Sequence, residues 1–230
     1  MGQQAFKDII MCGRFAQVQS VSDLIKAYFI DDVLTEVLPS YNIAPGNNVL
    51  SIINRDGKRV LTGFKWGLIP HWAKEASIGH KMINARAESI ADKPSFKDAF
   101  KSRRCLIPAS GFYEWKQEGR IKVPHFIRLA SGRPFTFAGI HESWTSPAGK
   151  EVSTCAIITT GPNDVMKRLH NRMPVILGDT NRDRWLKPDL QPGDARALLV
   201  PYPGDDMEAY PVSTLVNSPK NDSPDCIRPA

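Results

Sequence analysis

The sequence lacks long apolar runs and any recognisable targeting pattern. Its longest apolar stretches, such as 154–160 and 195–200, fall far short of the roughly 18 residues that a membrane-spanning helix needs. Residues 1–10 have neither the basic start nor the apolar stretch of a secretory signal, and Phe6 breaks the myristoylation pattern. We therefore expect no membrane association and a cytoplasmic location.

Cysteines are few and widely spaced. The four are Cys12, Cys105, Cys155 and Cys226, and no two of them form a CxxC pair. This spacing argues against a zinc site, and in the reducing cytosol the thiols are expected to stay free. No pattern in the sequence implies a metal ion or an organic cofactor.

Extremes of composition are also absent. The 230 residues are 42% hydrophobic and 23% charged, which excludes a disordered chain and a fibrous one. The length favours one sizeable core. The net charge of +6 attracts polyanions at long range but identifies no partner, because many cytosolic enzymes are as basic.

Short strand-like runs dominate the middle of the chain. The clearest signal is the turn Asp56-Gly57 between runs 49–54 and 59–64, which is typical of a β-hairpin. Further strands are predicted at 105–108, 112–115, 125–130, 135–140, 154–160 and 174–177, and short helices at 22–29, 95–101, 164–169, 182–186 and 194–199. Hairpins without regular strand–helix alternation predict an α+β fold whose β core is mainly antiparallel and barrel-like.

The chain is expected to divide into three parts. Residues 12–216 are predicted to form a single domain. Residues 217–230 are polar and contain prolines, which predicts a flexible tail. Residues 1–11 show no strong structural pattern of their own.

Five segments mix reactive, aromatic and turn residues where a plain core strand would not. They are MCGRF (11–15), YNIAPG (41–46), WGLIPHW (66–72), NARAES (84–89) with RCLIPASGFYEW (104–115), and HNRMPVIL (170–177). In order and spacing they resemble the SRAP family over residues 11–186. The resemblance implies a SRAP-like α+β fold and a role in the DNA damage response.

The resemblance also implies a reaction and a set of site residues. A cysteine that follows the initiator methionine, here Cys12, attacks the ring-opened sugar of an abasic site in single-stranded DNA and ends as a thiazolidine. The Asn of NAR, the Glu of GFYEW and the His of HxRMP complete the site, and here they are Asn84, Glu114 and His170.

The residue types fit that chemistry without the family name. A free α-amine has a pKa of about 7.7–8.0 and a cysteine thiol one of about 8.5, so an N-terminal cysteine offers two reactive groups near neutral pH. The amine can form an imine with an aldehyde, and the thiol can then close a five-membered ring. Glu114 and His170 are types that transfer protons in such steps, whereas Asn84 can orient sugar oxygens without changing charge.

Each of these residues also has a purely structural interpretation. Cysteine is among the most buried residue types, so Cys12 can be a small core residue. His170 can cap the end of the predicted helix 164–169, and Asn84 can be a turn residue. Glu114 can be a solvated residue on the outward side of a strand.

Basic and aromatic residues near the reactive ones are predicted to bind single-stranded DNA. Arginines and lysines neutralise phosphates, and exposed aromatic rings stack on bases, although core packing is the usual role of any one aromatic residue. The predicted DNA-binding residues are Arg14, Lys65, Trp66, Trp72, Arg86 and Arg172. No base-reading motif is present, so we expect sequence-independent binding, by a monomer that associates with the nucleoid when bound to DNA.

Eleven residues precede Cys12, which departs from the family pattern. An internal cysteine has an amide nitrogen that cannot form an imine. One explanation is that translation starts at Met11 and that removal of this methionine exposes Cys12. The other is that residues 1–11 are cleaved off, either by another enzyme or by the protein itself. We favour the start at Met11.

Three functions remain open from the sequence. The first is an enzyme that captures abasic sites covalently, with strand cleavage as a lyase and self-processing as side activities. The second is a cysteine peptidase with Cys12 as nucleophile and His170 as base. The third is a non-covalent single-strand binding module in which Cys12 is structural. We adopt the first.

Overall fold

The computed structural model describes residues 12–230. Its strands are β1 (Phe15–Gln17), β2 (Asp32–Val33), β3 (Ser40–Ile43), β4 (Asn48–Arg55), β5 (Lys58–Trp66), β6 (Asn84–Arg86), β7 (Arg104–Ala109), β8 (Gly111–Glu118), β9 (Ile121–Leu129), β10 (Phe135–Thr145), β11 (Glu151–Thr160), β12 (Met173–Pro174), β13 (Ile176–Leu177) and β14 (Met207–Pro211). Its helices are α1 (Val21–Tyr28), α2 (Lys97–Ser102), α3 (Asp179–Trp185) and α4 (Pro192–Ala197). Short 3-10 turns lie at Ala76–Lys81, Met166–Arg168, Gly204–Asp206, Thr214–Asn217 and Pro224–Ile227.

Two sheets organise these elements. The smaller sheet has the order β14-β9-β8-β1-β3, and all of its pairs are antiparallel. The larger sheet runs β12-β11-β10-β7-β4-β5-β2 and closes on itself, because β11 also pairs in parallel with β5. Strands β5, β4, β7, β10 and β11 thus form a five-stranded barrel. The predicted α+β fold with a mainly antiparallel, barrel-like core is confirmed.

The hairpin of β4 and β5 forms at the predicted turn. Asp56 and Gly57 both have positive φ, 53° and 85°, as a two-residue turn matched to the twist of a hairpin requires. The turn sets the register, in which Arg55 lies opposite Lys58 and Leu61 opposite Ile52.

Both faces of the barrel strands are buried. Along β11, Cys155 and Ile157 belong to one hydrophobic cluster, whereas Ala156 and Ile158 belong to the other. Successive side chains of a strand point to opposite faces. The helices therefore cover one face of this sheet, and residues of the smaller sheet such as Phe15 join the cluster on the other.

The predicted helices are present with one correction. Helix α1 begins at Ser20, whose hydroxyl oxygen accepts a hydrogen bond from the backbone N–H of Asp23 at 3.2 Å. The segment 164–169, predicted as an α-helix, contains only the 3-10 turn Met166–Arg168. The Asn163 side chain accepts from the backbone N–H of Met166 at 2.9 Å and so caps the start of this turn.

The prediction of a flexible tail at 217–230 is wrong. Cys226 is fully buried, and the Asn42 side-chain amide donates to the carbonyls of Ser218 and Asn221 at 3.0 and 2.6 Å. The Tyr210 hydroxyl donates to the carbonyl of Ile227 at 2.9 Å. The polar composition suggested solvation, but the backbone carbonyls of this segment instead satisfy side chains of the smaller sheet.

Three further observations concern membrane-spanning helices, cysteines and metal-binding groups. No helix in the part of the chain from Cys12 onward is long and apolar enough to cross a membrane. All four cysteines are buried free thiols. Within residues 12–230, no group of three or more His, Cys, Asp or Glu side chains is arranged to hold a metal ion.

Candidate active site

Cys12 and Glu114 meet because β1 pairs with β8. The antiparallel register sets Phe15 opposite Phe112, and the backbone N–H of Tyr113 donates to the carbonyl of Arg14 at 2.9 Å. The residues just before β1 therefore run beside the middle of β8. The backbone N–H of Cys12 donates to Glu114 Oε1 at 2.8 Å, which joins residues that lie 102 positions apart.

The backbone at Cys12 has an uncommon conformation. Its φ of 45° lies in the left-handed region, which non-glycine residues rarely adopt. Such a conformation persists only where the surroundings enforce it. Here the bond to Glu114 holds the Cys12 nitrogen against a carboxylate that is itself only 4% exposed.

Burial shifts both reactive groups toward their neutral forms. It raises the pKa of the Glu114 carboxyl, against the charge of His170 and the hydrogen bonds from Cys12. It also raises the pKa of the Cys12 thiol well above its usual range, with the charge of Glu114 adding to the effect and Arg172 opposing it. The site therefore favours proton exchange between the Cys12 thiol and the Glu114 carboxyl over a permanently ionised thiolate.

The backbone and ring of His170 have separate partners. Its backbone N–H donates to the carbonyl of Met166 at 2.7 Å, one residue beyond Leu169, which is the C-cap of the 3-10 turn Met166–Arg168. Its Nδ1 lies 3.2 Å from the backbone N–H of Arg172, which donates to it. A neutral imidazole with Nδ1 as acceptor carries its proton on Nε2. In that tautomer, Nε2 of His170 can donate a hydrogen bond.

Asn84 is the first residue of β6 rather than a turn residue. In the parallel pairing with β11 it lies opposite Ile157, and Arg86 lies opposite Thr159. Ala85 between them is buried in the core, so Asn84 and Arg86 are placed on the opposite face of the strand.

Two arginines lie near Glu88, and the charge of one of them, Arg172, also acts on the Cys12 thiol. Arg172 donates to both oxygens of Glu88, at 2.6 and 2.9 Å, and to the carbonyl of Thr159 at 2.8 Å. The hydrogen bond from Arg172 lowers the pKa of Glu88. Arg86 is exposed on the strand partner of Thr159. A phosphate would meet Arg86 directly, whereas it would compete with Glu88 for Arg172.

Arg14 has a structural use that was not predicted. Its Nη1 donates to the side-chain oxygen of Asn42 at 2.7 Å and to the carbonyl of Val216 at 2.6 Å. Its guanidinium lies 5.9 Å from the centre of the Trp115 ring. Arg14 thus fastens the strand that follows Cys12 to the C-terminal segment, and a phosphate contact by Arg14 stays a prediction.

The prediction that Trp66 stacks on a base is wrong. Its side chain is 1% exposed, its Nε1 donates to the carbonyl of Ile83 at 2.9 Å, and its ring packs edge-on against Phe15 at 5.3 Å. The alternation of β5 places Trp66 on the same inward face as Phe64. A base cannot reach it.

Replacing Trp66 with alanine should therefore destabilise the fold. We expect the free energy of unfolding to fall by about 3–5 kcal/mol, as for other buried aromatic residues, in urea denaturation followed by circular dichroism. Trp72→Ala is the matched control, because Trp72 is 51% exposed and should change stability by less than about 0.5 kcal/mol. Equal losses in the two variants would contradict this placement.

Lys65 and Trp72 stay predicted DNA contacts. Lys65 is exposed on β5, and Trp72 lines an open cavity of about 580 Å³ together with Lys74 and Lys81. Neither Lys65 nor Trp72 forms a hydrogen bond, ion pair or ring contact with the reactive residues in the described part of the chain. Glu75 also lines this cavity, so the exposed ring lies between two lysines and one carboxylate.

Sequence reasoning missed Glu88, which holds Arg172. The available signal was only its spacing of two residues from Arg86, because Glu88 lies in the turn that follows β6 and outside the alternation of the strand. Its partnership with Arg172, 84 residues away, could not be deduced from that spacing.

Comparisons with known proteins agree on one family. The family model described as SOS response associated peptidase (SRAP) matches residues 11–219. Abasic site processing protein YoqW of Bacillus subtilis (strain 168) is 51% identical over 221 residues, covering 94% of this chain and 99% of the relative. YedK of Escherichia coli (strain K12), with the same description, is 31% identical over 227 residues, covering 95% and 100%. A solved structure from Bacteroides thetaiotaomicron has a TM-score of 0.86 at 28% identity, covering 95% and 100%. The chain belongs to the SRAP family.

Proposed function

We propose that this protein processes abasic sites in single-stranded DNA by bonding to them covalently through Cys12 as the N-terminal residue. Relatives at 51% and 31% identity are named abasic site processing proteins, which supports the substrate. The observation that carries the reaction is the 2.8 Å contact between the Cys12 nitrogen and Glu114 Oε1. A carboxylate at that distance can take a proton from an amine.

The proposed reaction has two bond-forming steps. The α-amine of Cys12 adds to the aldehyde carbon of the opened sugar, and the resulting carbinolamine loses one water to give an imine. The thiol sulfur then adds to the imine carbon, and its proton passes to the nitrogen, which closes a thiazolidine. Glu114 accepts the proton that the α-ammonium of Cys12 gives up and returns one to the departing hydroxyl. As the sugar opens, the C1 hydroxyl loses a proton and the ring oxygen gains one, while His170 Nε2 donates a hydrogen bond to that ring oxygen.

The reaction requires removal of the residues before Cys12. While residue 11 is attached, the Cys12 nitrogen is an amide and cannot form an imine. The family model begins its match at residue 11, which supports translation from Met11 followed by loss of that methionine. Cleavage of the leader by the protein itself is the second route to the same amine.

The raised thiol pKa favours this order of steps over a cysteine-peptidase mechanism. A peptidase nucleophile is a thiolate with a lowered pKa, whereas burial raises the pKa of Cys12. An amine that attacks first needs no thiolate. The thiol loses its proton only when the imine carbon is available.

Single-strand binding is proposed to use the exposed arginine of β6. Arg86→Ala should weaken binding, with the larger loss at low salt, and should reduce the slope of log K against log salt by about 0.7, the value for one phosphate in a single strand. Fluorescence anisotropy at several salt concentrations measures this. Arg184→Ala, the same change on α3, serves as the control, and equal behaviour of the two variants would count against Arg86.

The covalent proposal is tested by mass spectrometry after mixing the protein with uracil-excised single-stranded DNA. The expected product has the mass of protein lacking residues 1–11 plus DNA minus one water, and it resists denaturation. Peptide cleavage without an adduct would instead support the peptidase. Unmodified protein and DNA that still bind one another would support the non-covalent module.

A further inference from the structure

We propose that a pocket beside the reactive residues binds the nucleotide that flanks the abasic site, its phosphate on Arg168 and Lys116. The flanking pocket has a volume of about 400 Å³, and its lining includes the charged or polar residues Lys116, His125, Arg168 and Glu208 and the apolar residues Val165 and Leu169. This inference rests on the proposed single-strand binding and adds a second contact point for the strand.

Strand register places the flanking pocket next to Glu114. In the pairing of β8 with β9, Glu114 lies directly opposite His125, and such partners have Cβ atoms roughly 4.5–5.5 Å apart. Lys116 is two residues further along β8, so it shares the face of Glu114. Leu169 immediately precedes His170. The flanking pocket therefore borders Glu114 on one side and His170 on another.

The charges of the flanking pocket favour an anion. Arg168 is exposed, and the acidic residue on which its charge acts, Asp164, already forms an ion pair with Lys167 at 2.8 Å. Lys116 contacts Glu118 at 2.8 Å, but both side chains are at least 40% exposed, and such surface pairs contribute little. The carboxylate of Glu208 also lines the flanking pocket and forms an ion pair of the same exposed kind with Arg128, at 2.6 Å. The two cations of the lining, Arg168 and Lys116, thus outnumber its one carboxylate, which leaves a positive charge for a phosphate.

The remaining lining suits a base rather than a free phosphate. Val165, Leu169 and Ala209 supply apolar surface. His125 is half-buried, its Nδ1–H donates to the carbonyl of Val123 at 3.0 Å, and its ring is a flat group of the kind that bases stack on. Cations beside apolar and flat surface are the combination that single-strand binding sites use.

Binding of an abasic analogue tests the flanking pocket without the covalent step. The probe is single-stranded DNA with one tetrahydrofuran residue, which has no aldehyde, and affinity is measured by anisotropy. We expect Arg168→Ala to weaken binding several-fold and to lower the salt slope by about 0.7. Lys167→Ala is the matched control, because Lys167 is the neighbouring exposed cation and does not line the flanking pocket. Equal affinities of the two variants would overturn the proposal.

A methylphosphonate scan identifies the phosphate. Replacing one linkage at a time by its neutral analogue should weaken wild-type binding most at a linkage adjacent to the lesion, and that loss should vanish in Arg168→Ala. Losses that are the same in wild type and Arg168→Ala at every linkage would refute the pocket. If Arg168→Ala binds the analogue as tightly as wild type while wild type still forms the adduct, only the proposal of the flanking pocket is rejected. If Arg168→Ala weakens binding as expected but wild type forms no adduct, the covalent proposal is rejected instead.

Discussion

Cys12→Ala is expected to eliminate the stable adduct with abasic single-stranded DNA, while binding of the tetrahydrofuran analogue survives. Alanine keeps the α-amine but lacks the thiol, so any imine that forms stays open to hydrolysis. Cys12 is 4% exposed, and the loss of one sulfur there should leave the fold intact. Denaturing gel electrophoresis of the reaction products measures the adduct, and circular dichroism checks the fold.

Two related changes separate the roles of the thiol and the amine. Cys12→Ser should give at most a labile adduct, which only borohydride reduction traps. A chain translated from Met11 should react once that methionine is removed, whereas one that retains residues 1–11 uncleaved should not, because its Cys12 nitrogen is an amide. Efficient thiazolidine formation by the intact long chain would defeat the mechanism, and stable adducts of Cys12→Ala would show that another group reacts.

Local sequence signals predicted the elements of this fold but not its closure. The Asp56-Gly57 turn and the apolar runs predicted β4, β5 and the later hairpins, because turn type and alternation act over a few residues. The barrel closes through the parallel contact of Cys155 in β11 with Trp66 in β5, which depends on long-range packing. For the same reason the buried position of Cys226 could not be deduced from a polar, proline-bearing segment.

The candidate site was predictable by residue type and not by geometry. The resemblance implied Asn84, Glu114 and His170, but the contact of Glu114 with the Cys12 nitrogen arises only when β1 pairs with β8. Trp66 was misassigned because a tryptophan beside a lysine is compatible with either face of a strand. Only the assembled barrel determines which face is covered.

Glu114→Gln is expected to slow adduct formation by about 100-fold or more, the usual loss for a general acid–base group, with little effect on DNA affinity. Glutamine has nearly the same shape, and its carbonyl oxygen can still accept from the Cys12 nitrogen, but it cannot take up the proton. Single-turnover rates at saturating DNA measure the chemistry, and anisotropy measures the affinity. A wild-type rate in Glu114→Gln would refute the assignment.

The pH dependence follows from the raised pKa of Glu114. As a base the carboxyl must be ionised, so the rate should fall on the acid side, around a pKa above the ordinary value of about 4.3 for glutamate. Glu114→Gln should lack that limb, whereas the fall in rate that comes from protonation of the α-amine, whose ordinary pKa is about 7.7–8.0, should stay in both proteins. An unchanged acid limb in Glu114→Gln would assign it to another group.

His170→Ala should slow the same reaction at a different step. If the Nε2 proton of His170 opens the sugar ring, a small open-chain aldehyde bypasses the loss and should restore the His170→Ala rate more than the Glu114→Gln rate. Glu114 is still needed with that aldehyde, because the Cys12 amine must lose a proton whichever carbonyl it attacks. Rates of both variants on both substrates from pH 5.5 to 9 make the comparison. If the open-chain aldehyde restored both rates equally, the two residues would act in the same step. Nε2 of His170 would then act in imine formation rather than in opening of the sugar ring.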